Sequence, residues 1–471
     1  MANARTDGRM ARAALRSAAW AERWFPDAWV FAALGVVVVA GAAFAFGSTP
    51  MAAVGAFGDG FWSLIPFTMQ MVFVVIGGYV VASAPVIARF IDRLARVPRT
   101  GRGAVCFVGL ISMLASLLSW GFSLVFGGLL VRALARREEL RMDYRAAAAA
   151  AYLGLGAVWA MGLSSSAAQL QANPKSMPPG LLSITGVLPF SQTIFLWQSI
   201  VLTGILIAAS LLICWFTAPS SDNARTAKDF NVTDIATNEL PKRSRPGEWL
   251  EYNPLLSVVI GLLGLGWLVH EFASKPIVTA IANLNTYNFL FLTVGLLLHW
   301  RPRSFLNAVT RAVPSTAGVL IQFPLYGGIA QLLTHAPGAD GATLAHRLSG
   351  LFVHVASTET FPLVMGAYSS VLGFFVPSGG GKWLVEAPYV MQAANDLHVH
   401  LGWAVQVYNA AEALPNLINP FWMLPLLGVL GLKARDVVGF TFIQLMAHVP
   451  LVLGLLWLLG LTLNYVPPVM P

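Results

Sequence analysis

Ser378 and the glycines Gly379, Gly380 and Gly381 stand between Pro377 and a fresh apolar run that opens at Trp383. Three glycines free the backbone to turn, and the proline cannot continue a helix. A helix that starts there offers free amide N–H groups and about half a unit of positive charge. Those are the donors that a small carboxylate needs. Ser119, Gly121 and Ser123, in the stretch SWGFS, interrupt an earlier apolar run in the same way. Asn416 and Asn419 lie between Pro415 and Pro420, where freed carbonyls could hold a cation or the amides a substrate. Gln70 and Gln322 could staple broken backbone or contact ligand. Glu412 is an ionisable group inside an apolar span, which costs about 2.5–3.5 kcal/mol unless it is paired or hydrated. It is the candidate for binding a coupling proton or Na⁺, with Ser378 and Asn416 beside it. An internal salt bridge is the structural alternative. Lys382 could meet a substrate carboxylate or pair with Glu386, one helical turn on.

Other residues carry less. Ser164, Ser165 and Ser166 either line a cavity or begin an outer loop. Trp120, Phe323, Tyr326 and Trp383 could shape a pocket for a short alkyl tail, although aromatics in spans serve more often as packing or interface anchors. Asp59 reads as interfacial. His398 and His400 lie two apart and make a poor metal site. Cys106 and Cys214 read as small core residues. No HExxH, GxSxG or Walker-A pattern occurs, so neither a membrane enzyme nor a directly ATP-driven pump is favoured. No cofactor or metal is expected.

The elements that position these residues belong to a membrane. Of 471 residues, 57% are hydrophobic and 11% charged, with a mean hydropathy of +0.69. Soluble domains carry about 25% charged residues. The net charge of +8 comes from arginines between apolar runs, a positive-inside pattern and not a nucleic-acid stripe. The expected fold is an all-α membrane protein, an inverted-repeat secondary transporter with about nine transmembrane helices and two re-entrant hairpins.

Residues 1–24 form an arginine-rich amphipathic segment that places the N-terminus in the cytoplasm. Residues 25–217 make the first repeat. Its run 104–131 has arginine clusters on both sides, which a hairpin returning to the cytoplasmic side satisfies and a single crossing does not. Residues 218–252 are a cytoplasmic linker, and 253–285 hold a connecting span. Residues 286–471 make the second repeat, with a hairpin over 351–394. Gln70 and Gln322, SWGFS and PSGGGKW, and the breaks after Leu163 and at Pro415 recur at an offset of about 250 residues. The intervening single span turns the second copy over, so the two hairpins should enter from opposite faces.

The motifs WFPDAWVFA, FGDGFW, MQM, SWGFSLVFGG, STAGVLIQFPLYGGI, FFVPSGGGKW, EAPYV and NPFWMLPLLG run in order from Trp24 to Leu432. Together they resemble the short-chain fatty acid transporter family, of the acetoacetate/butyrate permease type. Ser119 stands where the resemblance leads one to expect asparagine, and Lys382 where one expects histidine. The stretch GLSSSAAQLQ is also less glycine-rich than expected. The resemblance implies uptake of small monocarboxylates such as butyrate or acetoacetate across a bacterial inner membrane. The paired hairpins and broken spans lead us to expect symport with a proton or Na⁺ by alternating access. A carrier of the same build for a dicarboxylate or an amino-acid-like substrate is the alternative. The expected partners are the carboxylate, the coupling ion and the lipid bilayer, with no nucleic acid and with room for a homodimer.

Overall fold

The computed structural model describes residues 28–469 except 64, 173, 175–178, 233–239, 241, 276, 278–279, 281–282, 345–346, 348–353 and 376–378, together with Arg9 and Arg16. The rest of segment 1–24, Ser378 and the entry to the hairpin expected over 351–394 lie outside the described residues.

Long apolar runs in lipid must pair their backbone groups internally, and helices do so within one segment. In chain order these are α1 (Ala28–Ala45), α2 (Pro50–Ser63), α3 (Ile65–Ala82), α4 (Pro85–Leu94), α5 (Gly101–Leu118) and α6 (Trp120–Ala135). Then come α7 (Tyr144–Leu153), α8 (Ser166–Ala172), α9 (Pro179–Thr185) and α10 (Trp197–Thr217). After the linker follow α11 (Trp249–Tyr252), α12 (Leu255–Ser274), α13 (Leu284–His299), α14 (Pro302–Ala312) and α15 (Ala317–His335). The chain ends with α16 (Phe361–Phe375), α17 (Gly379–Asp396), α18 (Leu401–Asn416), α19 (Pro420–Leu430) and α20 (Ala434–Gly460).

Among the described residues, six helical stretches are long and apolar enough to cross a bilayer. A seventh is the pair α14–α15, bent by 53° at its break. Shorter apolar helices, α6, α13 and most of α16 among them, fall below the roughly 20 residues that span the hydrocarbon core.

Small residues set how closely these helices approach. The Gly58-Asp59-Gly60 stretch lies within α2. A Cβ at Gly60 would sit 2.4 Å from the Gly327 carbonyl oxygen of α15, so this glycine permits backbone contact between two helices. At the centre, every residue of α7 from Tyr144 to Leu153 is buried. Asp143 caps it, accepting from the N–H groups of Arg145 (3.1 Å) and Ala146 (2.9 Å). The same carboxylate accepts from Arg225 N at 3.0 Å and so ties the start of the linker to α7.

Two helix pairs fold back on themselves. Between α5 and α6 only Ser119 leaves the helical conformation, at φ −156°, ψ 118°. Its hydroxyl accepts from Phe122 N at 3.2 Å and caps α6. Ser123 Oγ then donates to Ser112 O of α5 at 2.6 Å, so α6 runs back along its partner. In the second pair Ser369 Oγ of α16 donates to Glu386 Oε2 of α17 at 2.8 Å.

Gly78 of α3 packs backbone to backbone against α6: a Cβ there would lie 2.7 Å from Gly121 C. Gly78→Val should therefore cost about 1–3 kcal/mol through overpacking. Gly204→Ala, at a site with open space within 4 Å, should stay within about 0.5 kcal/mol. Thermal unfolding in detergent, followed by tryptophan fluorescence, distinguishes the two; equal midpoints would contradict the packing.

Candidate substrate and coupling-ion site

Two breaks in the first and second halves meet at one place. After α7 the helix widens into a π-turn over Gly154–Val158 and tightens into a 3₁₀ turn over Trp159–Met161. Such irregularities leave carbonyl and amide groups without their usual partners. Pro415 interrupts α18 near its end, and the chain turns through Leu417–Asn419 before α19. Tyr152 OH donates to Asn416 O at 2.6 Å across the two breaks.

The three serines weighed as an outer-loop beginning are buried. Ser164 Oγ accepts from Trp120 N at 3.3 Å, at the tip of the α5–α6 pair. Ser165 Oγ donates to Asn409 Oδ1 of α18 at 3.0 Å, and Asn409 Nδ2 donates to Gln406 Oε1 at 2.6 Å. Neither Gln406 nor Asn409 drew attention in the sequence, where each is one polar residue in an apolar run.

The opening of α17 arrives from the other side. Gly379 and Gly380 are buried, and Gly379, Gly380 and Gly381 form the first turn of the helix. Tyr408 OH of α18 donates to Gly379 O at 2.7 Å. The indole of Trp159 lies so close that a Cβ at Gly379 would be 2.3 Å from its Cη2 and 2.9 Å from its Cζ2. The Trp383 ring, one turn into α17, packs on Tyr408 with centroids 4.5 Å apart.

Beside this turn sits a fully buried charge cluster. Lys382 Nζ lies 2.7 Å from Glu412 Oε2 and 3.3 Å from Glu386 Oε1. It donates to Ser369 O at 2.7 Å and to Ser369 Oγ at 2.8 Å. The ammonium also stands 4.7 Å from the centre of the Tyr408 ring, within cation–π range. Gly373 leaves room for the cluster, since a Cβ there would be 3.3 Å from Glu412 Oε2 and 3.5 Å from Lys382 Nζ. The Lys382–Glu386 pairing and the internal salt bridge weighed for Glu412 are both present: Lys382 meets Glu386 on its own helix and Glu412 on α18. One ammonium faces two carboxylates, so the ionised cluster is one positive charge short.

Several buried polar atoms around it have no hydrogen-bond partner among the described residues. They include both oxygens of Glu412, Glu386 Oε1, Asn416 Oδ1, Gln406 Nε2, Trp159 Nε1 and Trp383 Nε1. Leaving a buried donor or acceptor unmade costs about 1–3 kcal/mol, and each such group calls for a reason.

The remaining candidates sit apart or are occupied internally. The hydroxyls of Ser119 and Ser123 are spent on the α5–α6 turn, and Gly121 packs against Val74 of α3. Asn419 N donates to Pro415 O at 3.0 Å. Gln322 is buried and accepts from Tyr326 OH at 3.4 Å, whereas Gln70 Nε2 donates to Asn285 Oδ1 at 2.9 Å. Trp120, Trp422 and Phe323 form an edge-to-face chain beside Tyr326. His400 caps α18, its Nδ1 accepting from Trp403 N at 3.0 Å.

A family model described as "Short chain fatty acid transporter" matches residues 9–459. The chain belongs to the short-chain fatty acid transporter family. A protein of Escherichia coli (strain K12) named for short-chain fatty acid transport is 33% identical over 459 residues, covering 97% of this chain and 99% of that protein. A counterpart from Haemophilus influenzae (strain ATCC 51907 / DSM 11121 / KW20 / Rd) is 32% identical over 444 residues, 93% of this chain and 97% of its own. Among solved structures, the Alcanivorax borkumensis YdaH transporter superposes with a TM-score of 0.50 at 16% identity, over 93% of this chain and 98% of that one. It is a likeness of fold. This member of the short-chain fatty acid transporter family is accordingly a multi-pass membrane transporter and not an enzyme.

Removing one partner of a buried ion pair strands the other charge, at about 3–5 kcal/mol. Lys382→Met should therefore lower the thermal midpoint of the detergent-solubilised transporter strongly. Adding Glu386→Gln and Glu412→Gln should recover most of the loss. Equal midpoints for the single and triple variants would mean that the charges are not coupled.

Proposed function

We propose that this protein takes up short-chain monocarboxylates such as butyrate or acetoacetate across the cytoplasmic membrane, in symport with a proton or Na⁺. The observation that carries the reading is the buried cluster of Lys382, Glu386 and Glu412 beside the first turn of α17. A cluster short of one positive charge, enclosed where water does not stabilise it, favours binding a cation. Glu412 is the coupling residue, since neither of its oxygens has a hydrogen-bond partner among the described residues whereas Glu386 Oε2 accepts from Ser369, and it lies one turn from Asn416 at the Pro415 break. The helix N-terminus at Gly379–Gly381 receives the anion.

The pairs α5–α6 and α16–α17 act as re-entrant hairpins of two inverted repeats, 25–217 and 286–471. One repeat moves against the other to change the exposure of the site. Ser119 and Ser123 shape the tip of the first hairpin, and Gly379–Gly381 stand at the tip of the second. Gln322, Asn416 and Asn419 line the path between them. The N-terminus and the linker 218–252 face the cytoplasm, in keeping with the arginine-rich loops.

Uptake of labelled butyrate or acetoacetate into proteoliposomes, with pH and Na⁺ gradients imposed separately, tests the proposal. Accumulation should follow one of the two gradients, and Glu412→Gln should abolish gradient-driven accumulation. Uptake indifferent to both gradients, or unimpaired accumulation by the variant, would remove the symport mechanism.

A further inference from the structure

The charge cluster assigns a role to Lys382 that goes further than housing a coupling ion. Its ammonium donates hydrogen bonds to Ser369 O and Oγ and makes ion-pair contacts with the two glutamates. The groups facing it come from three helices: Ser369 from α16, Glu386 from its own helix α17, and Glu412 with the Tyr408 ring from α18. The hydrogen-bonded hydroxyls of Tyr368 and Tyr389, 2.9 Å apart, lie along the same two helices, α16 and α17. Among the described residues Lys382 is the one cation ion-paired within this group.

A second observation points to an acceptor-rich ligand at this place. Trp159 is 5% exposed and Trp383 fully buried, and the indole N–H of each has no acceptor among the described residues. The Trp159 ring meets Gly379 with the far edge of its benzo ring, Cη2 nearest and then Cζ2 and Cζ3. Trp383 follows Lys382 directly. Two rings with unpartnered indole N–H groups, an ammonium and a helix N-terminus thus lie on or against the first two turns of α17. A carboxylate is the simplest group that takes up donors of these kinds.

Charge then dictates the order of events. A substrate carboxylate entering the ionised cluster would raise its net charge from minus one to minus two in a dry site, which is prohibitive. One added positive charge prevents this. A metal cation at Glu412 would sit against the ammonium 2.7 Å from Oε2 and be repelled by it, whereas a proton on the carboxylate meets no such penalty.

We propose that Lys382 is the counter-ion of the substrate and is exchanged: Glu412 holds it between substrates, and the incoming carboxylate takes it when Glu412 gains a proton. Lys382 stays an ammonium throughout. The proton resides on Glu412 while the acid is bound and leaves to the other side after the acid does. The loaded cluster carries the same net charge as the unloaded one. Transport is then electroneutral, one proton for each monocarboxylate, and apparent affinity falls as pH rises because the proton must bind for the acid to do so. Trp159 and Trp383 complete the carboxylate's shell.

The proposal rests on the carrier reading above, and its test separates the two. In proteoliposomes with the membrane potential clamped by K⁺ and valinomycin, labelled butyrate and proton flux are measured together, and the pH dependence of KM is recorded. One proton per butyrate, indifference to potential and a KM that rises with pH are expected. In Glu412→Gln, which mimics the protonated side chain, butyrate/butyrate exchange should persist with a KM independent of pH. Adding Lys382→Met to that variant should raise the KM for exchange about tenfold or more, as loss of a hydrogen bond to a charged group does. Because a lysine variant can fail to fold, a second measurement uses the intact side chain. The indole N–H resonances of Trp159 and Trp383, assigned with Phe replacements, should shift on adding butyrate and not butyramide. Butyrate uptake that drives charge, depends on Na⁺ and not on pH, or leaves both indole signals unmoved would overturn the exchange while leaving the carrier reading in place. Absence of butyrate uptake by the unaltered protein would remove both.

Discussion

The ammonium of Lys382 is enclosed by protein on every side, and it can stay charged there only because Glu412, Glu386 and Ser369 surround it. A charge in hydrocarbon is so costly that neither lysine nor glutamate would persist alone. The rest of the structure depends on this requirement. Glu412 must come from α18 just before its break, Glu386 must follow Lys382 by one turn, and Gly373 must leave the space that a side chain would fill. Three helices are held in mutual register by one cation.

The same requirement governs the backbone. Where α7 widens at Gly154–Val158 and where α18 yields at Pro415, freed groups cannot turn to lipid. They turn to one another and to hydroxyls. Tyr152 takes Asn416 O, Ser165 takes Asn409, Ser164 receives Trp120 N, and Tyr408 takes Gly379 O. This network joins the tips of both folded-back pairs to both breaks. A displacement of either pair must therefore rearrange it, which gives a transporter a discrete set of states in place of a continuous deformation.

Much of this was legible in the residues because Pro, Gly and Ser punctuate apolar runs for physical reasons. The turn at Ser119 and the opening of α17 after Pro377 both fall where glycine and serine suspend the pattern. The interruption between Pro415 and Pro420 is marked by its prolines, and the i, i+4 spacing of Lys382 and Glu386 exposed that pair. Other features were hidden. The Lys382–Glu412 contact joins residues thirty apart with no periodic relation, so only the packing of α17 on α18 reveals it. Asp59, read as interfacial, gave no sign that Gly60 beside it lets α2 touch the backbone of α15. Ser164–Ser166 looked like an exit to the outer surface since a polar run follows, whereas the tip of α6 and helix α18 cover them. Trp159 was indistinguishable from a packing aromatic until its ring was found against Gly379.

The family defines the class of molecule carried, and the charge cluster beside α17 is the proposed place where it is held. A brominated short-chain acid such as 4-bromobutyrate, bound to the crystallised transporter, places its bromine by anomalous scattering and its carboxylate by density. The account predicts the carboxylate at the first turn of α17, in contact with Lys382 and with the indole nitrogens of Trp159 and Trp383. A carboxylate bound elsewhere, with the Lys382–Glu412 ion pair undisturbed, would contradict it.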